Sequence, residues 1–231
     1  MMKKATLQKH IDLTHDVFEL VFEAETPFTF NAGQFVTIKI DDKVPPCFRA
    51  YSIASSPLAE TTEFRLCVKL MPEGRGSNWL NNLKEGDQIN FIGPNGYFTF
   101  KDTAKKVIFI ATGTGVAPFT SMIEDQLNKE NGQKLELLFG VRHIKDLFYA
   151  DWLEELKNKG NFDYTLTLSQ PEDENWQGSK GRVTEVLKNH SFDPANTMFY
   201  ICGLKDMIDS VTAILKEKGV PEDSIHFETY D

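Results

Sequence analysis

Cysteine is scarce in this chain. Its 231 residues contain three, Cys47, Cys67 and Cys202, widely separated and odd in number. That number and spacing fit neither a disulfide framework nor a metal-ligand set, so no metal is expected and a reducing, cytoplasmic compartment is. Long hydrophobic runs are missing too. None approaches the ~20 residues needed to cross a bilayer as a helix, so no membrane span is expected. The opening MMKKATLQKH has no apolar stretch behind its lysines and does not read as a secretory leader. A basic excess is also absent: Lys plus Arg number 25 against 34 Asp plus Glu, a formal net charge of −9. That balance lacks the footprint of a nucleic-acid binder. Internal repeats, low-complexity stretches and the spaced G-x-G-x-x-G fingerprint are absent as well, and the last of these disfavours a standard dehydrogenase Rossmann domain.

What remains is an ordinary globular mix, 41% hydrophobic and 26% charged, long enough for one large domain or two smaller ones. Two rhythms divide it. Up to about residue 100, apolar residues alternate with period two in Asp16–Glu23, Gly33–Ile40 and Glu63–Leu70, as in half-buried strands. Further strands are expected near Lys3–Gln8, Arg49–Ala54 and Gln88–Ile92, with turns such as Asp41-Asp42 between them and one short helix near Ser77–Leu83. Six strands with little helix predict an all-β, Greek-key barrel. Beyond the polar stretch KDTAKK the chain alternates strand and helix. The strands are Val107–Ala111, Leu135–Phe139, Tyr164–Leu168, Met198–Cys202 and Ser224–Phe227. The helices follow Pro118 and lie near Asp146–Lys157, Val183–Lys188 and Lys205–Lys218. This predicts an α/β domain on a five-stranded parallel sheet. The expected domains are 1–102 and 103–231.

Open parallel sheets bind ligands beyond the carboxyl ends of their strands, where strand order reverses. The first strand of the second half ends in Thr112-Gly113-Thr114-Gly115-Val116-Ala117-Pro118. This is a turn that either cradles a phosphate at a helix start or simply reverses the chain. Cys202-Gly203 ends the fourth strand. Alone it reads as a small core residue, but in a 3-2-1-4-5 sheet it neighbours the first strand and shares its crevice. In the first half, Arg49 and Tyr51 share a strand face, giving either a groove with a phosphate-binding charge beside an aromatic plane or an ordinary solvated strand. Gly74-Arg75-Gly76-Ser77 offers a helix cap or a phosphate cradle. His10, His15, His143 and His190 read as surface residues without chemistry.

Together these segments resemble the ferredoxin–NADP reductase superfamily over nearly the whole chain, from about Phe18 to Asp231. The resemblance rests on RAYSIASSP (Arg49–Pro57), LCVKL with GRGSNWL (Leu66–Leu70, Gly74–Leu80), GTGVAPF (Gly113–Phe119), GVR with DLFYADWLEEL, YICGLKDM (Tyr200–Met207) and HFETY (His226–Tyr230), all in the family's order. It implies a flavoprotein that moves a hydride between NAD(P)H and bound FAD and passes electrons to a separate acceptor such as a ferredoxin, a flavodoxin or an oxygenase component. A free-flavin reductase, or a non-catalytic electron-bridging or nucleotide-sensing component of a larger complex, stays open as an alternative.

Position by position, the resemblance implies FAD contacts from Arg49, Ala50, Tyr51 and Ser52, from Cys67, Val68 and Lys69, and from Gly74, Gly76 and Ser77. Tyr230 would cover the flavin, although Asp231 follows it here. NAD(P) contacts are implied for Thr112, Gly113, Thr114, Gly115, Arg142, Ser169, Lys180, Arg182, Cys202 and Gly203. Ser52, Cys202 and Glu228 would flank the reacting atoms, which must approach to about 3–3.5 Å for hydride transfer. NADP-specific relatives commonly carry Ser-Arg after the third strand of this half, where this chain has Ser169-Gln170. The segment Trp176–Val183 resembles the NADH-linked branch, so NADH is favoured. An acidic acceptor would need a local basic cluster, for which Lys101, Lys105 and Lys106 are candidates.

Overall fold

A computed structural model describes residues 1–41, 45–57, 60–101, 105–130, 132–172 and 176–230. The Asp41-Asp42 turn, the 102/103 boundary and Asp231 therefore fall wholly or partly outside the described residues. The chain forms two compact units, Met1–Phe100 with Ala117–Asp125, and Lys101–Val116 with Gln126–Asp231.

The first unit contains β1 (Lys3–Asp12), β2 (Val17–Phe28), β3 (Phe35–Asp41), β4 (Cys47–Ser52), β5 (Thr61–Lys69), α1 (Arg75–Asn81) and β6 (Gln88–Asn95). All pairings are antiparallel, in the order β4-β3-β6-β1-β2-β5. β6 returns over a long connection to lie between β1 and β3, the crossover of a Greek key. The two ends of the order meet where Ile53 bridges Leu66 and the Ala54 amide donates to the Arg65 carbonyl at 2.8 Å, which closes the barrel. Alternation explains the filling. Phe18, Leu20 and Phe22 of β2, Val36 and Ile38 of β3, and Phe64, Leu66 and Val68 of β5 all enter one buried cluster. Phe28, Phe64 and Phe91 meet there edge-on or tilted, with centroids 5.2–5.9 Å apart.

The second unit is built on β7 (Lys106–Thr112), β8 (Lys134–Val141), β9 (Phe162–Leu168), β10 (Ser179–Lys180), β11 (Thr197–Gly203) and β12 (Ile225–Thr229). The sheet is parallel throughout, in the order β10-β9-β8-β7-β11-β12. Without β10 this is the expected 3-2-1-4-5. The sixth strand is two residues long, too short to show a hydrophobic period. β11 is buried along its whole length, as an apolar strand covered on both faces should be. The helices are α2 (Ala117–Lys129), α3 (Ala150–Asn158), α4 (Val183–Asn189) and α5 (Lys205–Glu217). Val183 and Leu187 of α4 pack with Ile208, Val211 and Leu215 of α5 over Ile108, Phe199 and Ile201.

Three expectations change. α3 begins at Ala150, not Asp146. Asp146 instead closes a 3-10 turn in a capping box with His143, and Phe148 then turns inward onto Phe139 with centroids 5.4 Å apart. The histidines are not all surface residues. His10 stacks on Phe18 at 5.0 Å, His143 is half-buried in its capping box, and His190 lies 3.0 Å from Glu136. His15 alone of the four is exposed. Lys106 also leaves the expected basic cluster, because its ammonium pairs with Glu136 at 2.9 Å.

Candidate functional site

In the first unit the candidate residues converge where α1 meets β4. Arg49 and Tyr51 project from the same face, the first exposed and the second half-buried against the barrel core. Gly76, in the first turn of α1, lies against both. A Cβ there would stand 2.6 Å from the Tyr51 hydroxyl and 2.8 Å from Cγ of Arg49, so only glycine permits this approach. Burial pushes the Tyr51 hydroxyl up to about 12, with the Arg49 charge offsetting part of the shift, and it stays a hydrogen-bond donor at neutral pH. The Arg49 guanidinium donates to its neighbour's carbonyl, Phe48 O, at 2.8 Å. Ala50 is exposed and Ser52 is buried.

The loop ahead of α1 is held from within. The Ser77 hydroxyl accepts from the Met71 amide at 3.0 Å and donates to Gly74 O at 3.2 Å. The Asn78 side-chain amide donates to Met71 O at 2.7 Å and Gly74 O at 2.9 Å. Arg75 forms a two-point pair with Asp41, Nε to Oδ2 at 2.8 Å and Nη2 to Oδ1 at 2.5 Å. Arg75 stood in the Gly74–Ser77 motif and Asp41 in an expected turn, but their pairing was not visible in the sequence, and Asn78, a single polar residue in a short helix, carried no pattern. On β5, Val68 turns its side chain into the core, leaving only its backbone for a ligand. Lys69 lies exposed on the other face, paired with Asp16, and Cys67 is buried. Burial alone would raise the Asp16 carboxyl. The Lys69 ammonium outweighs it and holds the group below its ordinary range.

In the second unit the ends of β7, β11 and β12 come together. Cys202 pairs in register with Ala111 on one side and Glu228 on the other. Thr112 leads into a 3-10 turn, Gly113–Val116, and α2 follows with Pro118 in its first turn, as its missing N–H allows. Gly115 packs on the Cys202–Gly203 backbone, where a Cβ would stand 2.7 Å from the Cys202 carbonyl carbon. Gly113 adopts φ +53, and nothing lies within 4 Å of where its Cβ would point, so the turn is open on that side. Thr114 is half-buried beside it. Cys202 is fully buried. Burial first, and then the nearby Glu228 charge, raise its thiol well above the ordinary range, while a hydrogen bond from the Tyr230 side chain opposes them. The Tyr230 amide donates to Gly203 O at 2.9 Å. Three of the expected residues, Cys202, Glu228 and Tyr230, thus form one cluster.

The remaining candidates line the carboxyl ends of β8, β9 and β10. The Ser169 amide donates to Val141 O at 3.0 Å and the Gln170 amide to Arg142 O at 2.8 Å. Lys180 pairs in register with Leu168, and Arg182 precedes α4. Arg142, Lys180 and Arg182 are exposed.

Both regions fit dinucleotides. The first offers an exposed guanidinium, a half-buried aromatic ring and a helix turn too close for any Cβ. The second offers a glycine turn, open at Gly113, ahead of a helix start.

Residues 4–100 match the sequence family "Oxidoreductase FAD-binding domain" and residues 109–213 match "Oxidoreductase NAD-binding domain". Ferredoxin--NADP reductase B of Sorangium cellulosum is 37% identical over 228 residues, 93% of this chain and 92% of that one. The chain belongs to the ferredoxin–NADP reductase family. As a ferredoxin–NADP reductase family member it is an FAD-dependent NAD(P)H oxidoreductase that passes electrons to a separate acceptor. A component of the Na(+)-translocating NADH-quinone reductase of Pseudomonas aeruginosa is 34% identical over 215 residues, 87% of this chain. The chain spans about half of that relative, 52%. Among solved structures, the ferredoxin reductase in carbazole 1,9a-dioxygenase aligns over 100% of this chain and 70% of its own, with a TM-score of 0.89 and 26% identity. No helix among the described residues is long and apolar enough to cross a membrane.

Proposed function

We propose that the corner of Arg49, Tyr51 and Gly76 holds FAD, and that the ends of β7, β11 and β12 hold the nicotinamide half of NADH. The observation that carries this reading is the packing of Gly76 against both Arg49 and Tyr51, which joins a phosphate-binding charge, an aromatic face and helix-turn amides in one place. The domains are then 1–102 for FAD and 103–231 for NAD(P).

Bound FAD supplies the acceptor for a hydride and the relay that passes electrons onward. The residues of this chain bind and orient. Arg49 neutralises flavin phosphate, and Tyr51, held by the core, presents its ring to the isoalloxazine. The buried Ser52 hydroxyl hydrogen-bonds near the flavin's reacting nitrogen. Cys67, the backbone of Val68 and Lys69 line the flavin, and the amides of Gly74, Gly76 and Ser77 meet the pyrophosphate. The Ser77 hydroxyl is used within its own loop.

Thr112, Gly113, Thr114 and Gly115 receive the pyridine-nucleotide pyrophosphate. Cys202, a neutral thiol, and Glu228 border the nicotinamide, and Gly203 lets the chain turn beside it. Arg142, Ser169, Lys180 and Arg182 border the adenosine. The acceptor is a separate component such as a ferredoxin, a flavodoxin or an oxygenase component, in the cytoplasm. The test is FAD content after gel filtration. Arg49→Ala should lose FAD that the unmutated protein keeps, and equal content in both would refute the phosphate role.

A further inference from the structure

One carboxylate among the adenosine-side candidates has no part in the reading above. Glu185 lies in the first turn of α4, and its side chain folds back over Gly181. A Cβ at position 181 would stand 2.9 Å from Cδ of Glu185 and closer still to one carboxylate oxygen. Gly181 sits between the exposed Lys180 and Arg182 and adopts φ +104. Its position is set by two hydrogen bonds: its amide donates to Leu168 O at 2.8 Å, and its carbonyl accepts from the Thr167 hydroxyl at 2.7 Å. The carboxylate of Glu185, an exposed residue, therefore lies over a fixed piece of backbone at the carboxyl ends of β9 and β10.

Strands in a sheet lie about 4.8 Å apart, so β9 is about 10 Å from β7. A dinucleotide with its pyrophosphate on the turn after β7 and its nicotinamide toward β11 reaches β8 and β9 with its adenosine. A ribose 2′-hydroxyl arriving there donates to a carboxylate. A 2′-phosphate brings about −1.5 to −2 charge to the same place and is repelled. Arg142, Lys180 and Arg182 are exposed and attract the phosphates of either nucleotide, a 2′-phosphate included. The carboxylate works against that attraction for the 2′-phosphate alone.

The geometry points to Glu185 as the residue that makes this chain prefer NADH over NADPH, by seating its carboxylate on Gly181 where a 2′-phosphate would have to lie. The inference rests on the proposed nucleotide site. Its test is calorimetric titration of the FAD-loaded protein with 5′-AMP and with adenosine 2′,5′-bisphosphate, which differ only in the 2′-phosphate. Glu185→Gln should strengthen binding of the bisphosphate about tenfold and change 5′-AMP by less than about threefold. An equal change in both ligands, as a cap lost from α4 would give, or no change in either, overturns the role of Glu185. Arg182→Ala separates the two levels. If it weakens the bisphosphate while Glu185→Gln has no selective effect, only the selectivity claim falls. If it leaves both ligands unchanged, the site reading falls and takes the claim with it.

Discussion

A Cβ on Gly115 would lie 2.7 Å from the carbonyl carbon of Cys202 and 2.9 Å from the amide nitrogen of Gly203. The turn after β7 and the end of β11 touch backbone to backbone, and neither can yield as a flexible side chain would. Gly115→Ala should therefore destabilise the protein by about 1–3 kcal/mol, the usual penalty for overpacking. It should also weaken NAD(P)H binding, because the turn moves off the strand end. Thermal unfolding and a nucleotide titration measure both. An unchanged melting temperature would show that the turn has slack.

The corner of the first unit gives a parallel prediction. Gly76→Ala pushes a methyl group against the Tyr51 hydroxyl and Arg49, so it should release FAD even though both partners remain. Arg49→Ala removes one charge-assisted contact and should weaken FAD about tenfold to a hundredfold. Fluorescence titration of the apoprotein with FAD reports each.

Cys202 should behave as a neutral thiol. Burial and the Glu228 charge both raise its pKa, so native protein at mildly alkaline pH should resist alkylation at this position and react only when unfolded. All three cysteines are buried and none is in a disulfide, so the native chain should share that resistance. Cys202→Ala should slow flavin reduction in stopped-flow experiments while leaving FAD bound. An unchanged rate would remove the thiol from the nicotinamide site.

His226 sets an acid limit on stability. Burial first, and then the Lys101 charge, hold its imidazole below the ordinary 6.5, with Asp223 opposing weakly, and the ring tilts against Tyr200 at 5.0 Å. A depressed folded pKa means that the unfolded chain takes up the proton first. The contribution is present above pH 6.5 and is lost as pH falls through the folded value. The melting temperature should fall between about pH 7.5 and 5.5, and His226→Gln should flatten that part of the slope. Identical slopes in the two proteins would refute the assignment.

The period-two segments Gly33–Ile40 and Glu63–Leu70 and the apolar run Val107–Ala111 became strands close to where their patterns lie, because each buries one or both faces. β1 runs on to Asp12, past the expected end at Gln8. Its register slips between Leu7 and Lys9, and a bulge erases the alternation that would have marked the extension. The membership of α2 in two units was invisible for a different reason. Thr120 donates to Ala54 O at 2.6 Å and Arg65 holds Glu124 at 3.1 Å, contacts across more than fifty residues that no local pattern encodes. The candidate site residues stand in recognisable motifs, whereas the contacts made by Asn78, by Asp41 to Arg75 and by Glu185 over Gly181 were not visible there. Each of these acts through a single contact made only in the folded chain.

The most direct measurement is the visible absorption spectrum of purified protein reconstituted with FAD, recorded without oxygen before and after addition of NADH. A retained flavin band that bleaches on addition of NADH is the predicted result. A protein that emerges from gel filtration colourless, or whose band is unmoved by either NADH or NADPH, would contradict the account.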